Sequence, residues 1–190
     1  PVNEKNLVQF YYLHRPDGSP GLKYKGISPT GPLPEKLNFP LIKKPASDKF
    51  SILVFSDPQP YSIKEVGYYE EDIVGDVKST EEIRFGITLG DNVGDDLDLF
   101  DPLVHATSSI DLPWFYVAGN HDLNFDAEIR EHADETFERV FGPSTYAFNE
   151  GKVHFIVIND VIFPNTYNDR FYVGGLSERQ FTFIENSLEY

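Results

Sequence analysis

The sequence predicts an α/β domain built on a largely parallel sheet. Two observations carry this. Short apolar runs at Ser51–Phe55, Ile83–Leu89 and Pro113–Val117 alternate with stretches whose apolar residues recur at helical spacing, the pattern of strand and crossover helix. Each run also ends abruptly in polar turn chemistry: Ser56-Asp57-Pro58-Gln59, Gly90-Asp91-Asn92 and Ala118-Gly119-Asn120-His121-Asp122.

Residues 1–49 stand outside that alternation. Leu7–Leu13 is apolar and aromatic enough for one strand. Turn and extended chemistry follows, with seven of the 14 Pro between positions 16 and 45. The expectation is the tail of a preceding β module plus a linker, because 49 residues are too few to bury a core of their own.

From Phe50 the elements come in order. Ser51–Phe55 is short, apolar and bounded by turns, as a fully buried strand would be. Ile63, Val66, Tyr69, Ile73 and Val77 are spaced by three and four, which predicts a helix from Ser62 to about Thr80. Ile83–Leu89 is the second strand. A helix from Asp98 to about Thr107 tolerates Pro102 in its first turn, where an N–H is dispensable. Pro113–Val117 is the third strand. Asp126 is placed to cap a helix reaching Phe141, with Ile129, Ala133, Phe137, Val140 and Phe141 on one face, and Gly142-Pro143 stops it. Thr145–Phe148 and Val153–Ile158 flank Asn149-Glu150-Gly151-Lys152 as a β-hairpin. Ser177-Glu178-Arg179-Gln180 is a capping box that opens a last helix with Phe181, Ile184 and Leu188 as its buried stripe.

Composition narrows the function. The formal net charge of −15 disfavours a nucleic-acid backbone or an anionic membrane as partner. With no Cys, any metal must be held by oxygen and nitrogen. No apolar run reaches 18 residues, so no transmembrane helix is expected. The 16 Phe and 11 Tyr are core material first. Without any Met or a signal-peptide-like start, the chain reads as a piece of a longer one.

In open α/β sheets ligands bind beyond the carboxyl ends of the strands. If the three strands are parallel neighbours, one sheet edge gathers Asp57, Gln59, Asp91, Asn92, Asp95, Asp96, Asn120, His121 and Asp122. Carboxylate, amide and imidazole are the donors of hard and borderline divalent metals. Two ions bridged by a carboxylate are a standard device for phosphoester hydrolysis. His121, next to Asn120, is placed to donate a proton or hydrogen bond to phosphate or leaving group, with Asp122 positioned to hold the imidazole. Each turn string taken alone is ordinary turn chemistry, and only the conjunction points to a site. Asp91–Asp98 does not follow an EF-hand loop, having Asp96 at its sixth position and Pro102 at its twelfth.

Asp57-x-Gln59, Gly90-Asp91-Asn92 and Gly119-Asn120-His121-Asp122 resemble the first three blocks of the calcineurin-like metallophosphoesterase family: D-x-H, G-D and G-N-H-D or E. The resemblance spans about 50–190, which it implies to be the N-terminal part of a catalytic domain. The preceding Thr30-Gly31-Pro32-Leu33-Pro34 linker resembles a bacterial multidomain branch. The fold implied is an α/β/β/α sandwich, here truncated. The cofactors implied are two divalent ions (Mn, Fe, Zn or Mg), and the substrate a phosphorylated small molecule or glycan, cut as a monoester or diester.

The resemblance also implies roles. Asp57 and Gln59 hold the first metal, and Asp91 bridges both. Asn120 holds the second and touches phosphate. His121 is the catalytic acid or phosphate stabiliser, and Asp122 supports it. Two departures matter. Gln59 stands where the family has His, so its amide oxygen favours Mn or Mg over Zn. The later His and Gly-His-x-His blocks are absent, since His14, His105, His132 and His154 are read as surface or core residues. The fragment is therefore expected to be inactive alone. The alternative is a degenerate, non-catalytic phosphoesterase-like binding module. Pro60–Gly67 and Phe163–Gly175 are expected to line the site, the latter with Asn165, Tyr167, Asn168, Arg170 and Tyr172; Arg170 suits a phosphate clamp, but a surface role is the favoured reading.

Overall fold

A computed structural model describes residues 2–39, 47–78, 80, 82–162 and 172–189. Its centre is a three-stranded parallel sheet of β1 (Ser51–Phe55), β2 (Ile83–Leu89) and β3 (Trp114–Val117), in that order. Helices α1 (Ile63–Tyr68) and α2 (Phe100–Ser108) are the crossovers, and α3 (Glu135–Phe141) follows β3. An antiparallel hairpin of β4 (Tyr146–Glu150) and β5 (Val153–Val157) comes next. A two-residue pair, β6 (Val161–Ile162) with β7 (Val173–Gly174), leads to α4 (Glu178–Leu188).

The layers follow from strand alternation. On β2 and β3, Phe85, Ile87 and Phe115 point to one face, where Tyr146, Phe148 and Phe155 of the hairpin meet them. Phe115 and Phe148 stack with ring centroids 3.9 Å apart. Trp114 and Tyr116 point to the other face, into a core with Val66 and Tyr69, Leu103 and Val104 of α2, and Phe137 and Phe141 of α3. Burial on both faces is why these strands are continuous apolar runs. Beyond the hairpin, α4 is tied by His154 Nε2 to Ser187 Oγ (3.2 Å) and by Gln180 Nε2 to the Asn159 carbonyl (2.5 Å). The order is helices, parallel sheet, hairpin, helix, a mixed α/β arrangement with a parallel sheet as expected.

The register sets the functional edge. Phe55 pairs with Thr88 and Thr88 with Tyr116, so the three carboxyl ends stop level. Their loops must leave side by side.

Several sequence expectations need correction. Leu7–Leu13 is no strand: it makes only isolated bridges, Val2 with Val8 and Leu7 with Trp114. At its start the backbone is engaged locally, Leu7 N–H donating to Asn3 Oδ1 at 3.0 Å and the Leu7 carbonyl accepting Asn3 N–H at 2.9 Å, while Leu7 is buried in the helix-side core and Phe10 packs on the hairpin side. Tyr24 is in the helix-side core too. The described part of 1–49 is thus laid against the 50–190 body, and its expected membership of a preceding module remains an expectation.

β1 is not fully buried. It is the edge of the described sheet, and Val54 is 50 % exposed. The helix after it changes pitch: Tyr69–Val74 is a π-helix, closed by Gly75 N–H on the Glu70 carbonyl at 2.9 Å. A wider turn aligns residues five apart, so Val74 replaces Ile73 under Tyr69, and Ile73 is left 49 % exposed.

Asp126 caps nothing. Its carboxylate accepts the backbone N–H of Lys23 at 2.9 Å, and Asn124 closes the intervening loop by bonding Ala133 O (2.7 Å) and Thr136 Oγ1 (2.7 Å). The helix therefore starts at Glu135, and Ile129 is exposed instead of lining its apolar face. The capping box at Ser177 forms, with Ser177 N–H on Gln180 Oε1 at 2.8 Å. The stripe behind it is not buried, Phe181 being 55 % and Leu188 69 % exposed. Among the described residues no helix is long and apolar enough to cross a membrane.

Candidate active site

Three loops leave the level edge of the sheet, and side chains and backbone stitch them together. The first is joined to the second by Gln59 N–H on the Asp91 carbonyl (3.1 Å) and by Gly94 N–H on the Pro60 carbonyl (2.9 Å). The second is joined to the third by Asp91 itself, whose Oδ1 accepts the His121 N–H at 3.1 Å. The approach is so close that a β-carbon on Gly119 would lie 2.1 Å from Asp91 N and 2.2 Å from its Oδ1. Only glycine fits there.

The backbone is strained where the candidates cluster. Asp57 (φ 48), Gln59 (φ 43), Asp91 (φ 44) and Asp95 (φ 70) all adopt the left-handed conformation. Such conformations cost of order 1 kcal/mol each and persist where surrounding structure enforces them, commonly at functional sites.

Asp122 is the pin of the assembly. It is fully buried, and its carboxylate accepts from Asn92 N (2.9 Å), Asn92 Nδ2 (2.8 Å), Val93 N (3.3 Å) and Gly119 N (2.8 Å). Burial pushes its carboxyl up to about 7, against the pull of those donors. It does not hold His121 as expected, because its oxygens are spent on the loop backbones.

The partner of His121 is Asp95. Nδ1 of the imidazole stands 2.9 Å from Asp95 Oδ1, both side chains being a little over a quarter exposed. Tyr61, from the first loop, stands edge-on to the same imidazole, ring centroids 6.4 Å apart at 75°. Sequence reasoning gave Asp95, with Asp96, only a supporting or loop-shaping role and left Tyr61 unnamed within Pro60–Gly67. The available signal was Asp95's place four residues after Asp91.

The other expected residues are distributed as follows. Asp57 is exposed, and its carboxylate accepts from Ser56 Oγ. Gln59 and Asn120 are half-buried at the rim, Asn120 opening the short 3₁₀ turn Asn120–Asp122. Asn165, Tyr167, Asn168 and Arg170 lie outside the described residues. Among the described residues, no three His, Asp or Glu side chains converge so as to hold a metal ion. The donors Asp57, Gln59, Asp91 and Asn120 are all oxygen donors, a set that suits hard cations such as Mn or Mg.

No family model matches this chain, and no curated protein matches it. Among solved structures, the purple acid phosphatase PPD1 from yellow lupin (Lupinus luteus) seeds is similar at 15% identity and a TM-score of 0.43, over 73% of this chain and 27% of that one. The chain thus spans about a quarter of the length of that structure. A likeness so distant carries no functional argument, and the functional reading rests on the residues of the three loops.

Proposed function

We propose that this chain carries residues of a metal-dependent centre that hydrolyses a phosphoester. The observation that carries the reading is the closure of three strand-end loops on Asp91, with His121 and Asp95 paired at the rim. Asp57, Gln59, Asp91 and Asn120 would hold divalent ions, which in such centres activate a water and neutralise phosphoryl charge. His121 acts from Nε2. Its Nδ1 is turned to Asp95, which orients the ring, and in the imidazolium form the Nε2–H donates a hydrogen bond or the proton to the leaving oxygen, leaving the neutral ring with its Nδ1–H on Asp95. Asp122 acts only by holding the loops in place.

The substrate class is a phosphorylated small molecule or glycan. A net charge of −15 disfavours a polyanionic partner such as a nucleic-acid backbone. Among the described residues the donors do not complete such a centre.

The test is hydrolysis of a chromogenic phosphodiester and a chromogenic phosphomonoester by the full-length protein with added Mn, compared with Asp91→Ala and His121→Ala. Loss of turnover in both variants supports the reading. Turnover indifferent to both, or none in the parent, favours a second reading: a phosphoesterase-like binding module without catalysis. The lack of a complete metal-holding group among the described residues is what keeps that second reading in play.

A further inference from the structure

Tyr61 is the feature of the site that phosphoester chemistry does not require. It sits immediately before the cap of α1: Ser62 accepts the Glu65 N–H, and Tyr61 N–H donates to Glu65 Oε2 at 2.5 Å. The residue's backbone is therefore fixed. Its ring lies against the backbone of the second loop at Gly94, where a β-carbon would fall 2.5 Å from Cδ1 and 2.6 Å from Cε1. Gly94 in turn is held under it by its N–H on the Pro60 carbonyl. The ring is seated by an absent side chain, yet the residue is 57 % exposed. Its neighbour across the rim is the imidazole of His121, edge-on at 6.4 Å.

Other rings are exposed too, Tyr68 and Phe181 among them, and what sets Tyr61 apart is its place against the imidazole of His121. This one leaves an apolar surface open to solvent beside the candidate acid. We infer that Tyr61 is the leaving-group wall of the site and selects phosphoesters whose alcohol is aromatic or planar. The inference rests on the hydrolase reading above. With the two rings 6.4 Å apart, a leaving oxygen hydrogen-bonded to His121 would bring the group attached to it beside Tyr61. An aryl alcohol gains offset or edge contact with that ring, and a small alkyl alcohol does not. Aromatic pairs of this kind change affinity roughly three- to tenfold. The ring and not the hydroxyl does this, since the contact is with the π face and edge.

The experiment uses the full-length protein with added Mn and compares kcat/KM for phenyl phosphate and methyl phosphate. The parent is expected to prefer the phenyl ester. Tyr61→Ala is expected to shrink the phenyl-to-methyl ratio roughly three- to tenfold, and Tyr61→Phe to keep it. A second readout does not depend on turnover: calorimetric binding of phenylphosphonate against methylphosphonate, with the same variants and the same direction of change.

An equal fall on both esters in Tyr61→Ala would make the ring a mere prop of the second loop and overturn the inference. So would a Tyr61→Phe variant that behaves like the alanine. If neither ester is hydrolysed, the hydrolase reading falls, and the phosphonate ratio alone decides for or against the aromatic wall. Binding of neither phosphonate overturns both.

Discussion

His121 Nδ1 lies 2.9 Å from Asp95 Oδ1, although Asp122 is its neighbour in the chain. In the tight turn Asn120–Asp122, consecutive side chains leave in different directions: His121 goes to the rim and Asp122 into the interior. Orientation of the imidazole is therefore delegated to the second loop. Asp95→Asn in the full-length protein is expected to lower kcat roughly tenfold or more, as loss of a partner that orients a histidine commonly does. The check is kcat on the chromogenic esters together with the imidazole nitrogen shifts by NMR, which report the tautomer. Unchanged shifts and unchanged kcat would remove Asp95 from the mechanism.

Asp122→Ala is expected to act on stability first. It strands the buried N–H groups of Asn92, Val93 and Gly119 and the Nδ2 of Asn92. Each unsatisfied buried donor costs about 1–3 kcal/mol, so a total loss of at least about 3 kcal/mol is expected. Urea unfolding measures it, and a loss under about 1 kcal/mol would mean that these loops are held by something else.

Gly119→Ala tests the close approach of the second and third loops. The added carbon meets the Asp91 backbone, which cannot step aside as a flexible side-chain tip would. A cost of about 3 kcal/mol is expected from the overpacking, together with weaker Mn binding by calorimetry as Asp91 is displaced. Unaltered stability and unaltered Mn binding would show that the approach is looser than described.

A pH dependence is expected away from the site. Burial pushes Glu138 up from an ordinary 4.5 to about 7, with Asp134 adding to the rise and Arg15, whose guanidinium is 3.7 Å away, opposing it. Beside it, burial raises Asp134. Glu135 is held below its ordinary value because hydrogen bonds with Ser19, His132 and Arg15 outweigh its burial. The sign follows. Below 4.5 Glu138 is protonated folded or unfolded and costs nothing. As pH rises towards about 7 the unfolded chain releases the proton first, so folding is progressively penalised, and above that the penalty is complete. Glu138→Gln should therefore gain thermal stability relative to the parent as pH is raised from about 5 to about 8. A difference in Tm that does not change with pH would contradict this.

The alternation of apolar runs with helical spacing was enough to place the three parallel strands, α2, the hairpin and the cap of α4, because these depend on local periodicity and local bonds. The same runs marked the loops that carry Asp57, Gln59, Asp91, Asn120, His121 and Asp122. What failed depended on distant partners. Asp126 was an acceptable cap until Lys23, 103 residues away, took its carboxylate. Ile73 fitted a helical stripe until the chain widened to a π turn. Phe181 and Leu188 had the spacing of a buried face, but spacing cannot say whether another element covers it.

The sequence by itself determined that three metal-capable turns follow three strands, since strand and turn are written in a few consecutive residues. Only the tertiary structure decided what each carboxylate does. Asp95 and Asp122 are the same residue type, yet one stands at the rim against His121 and the other is sealed among backbone N–H groups. That difference is set by the level ending of the strands and the contact of Gly119 with Asp91, distances between loops that no local pattern encodes.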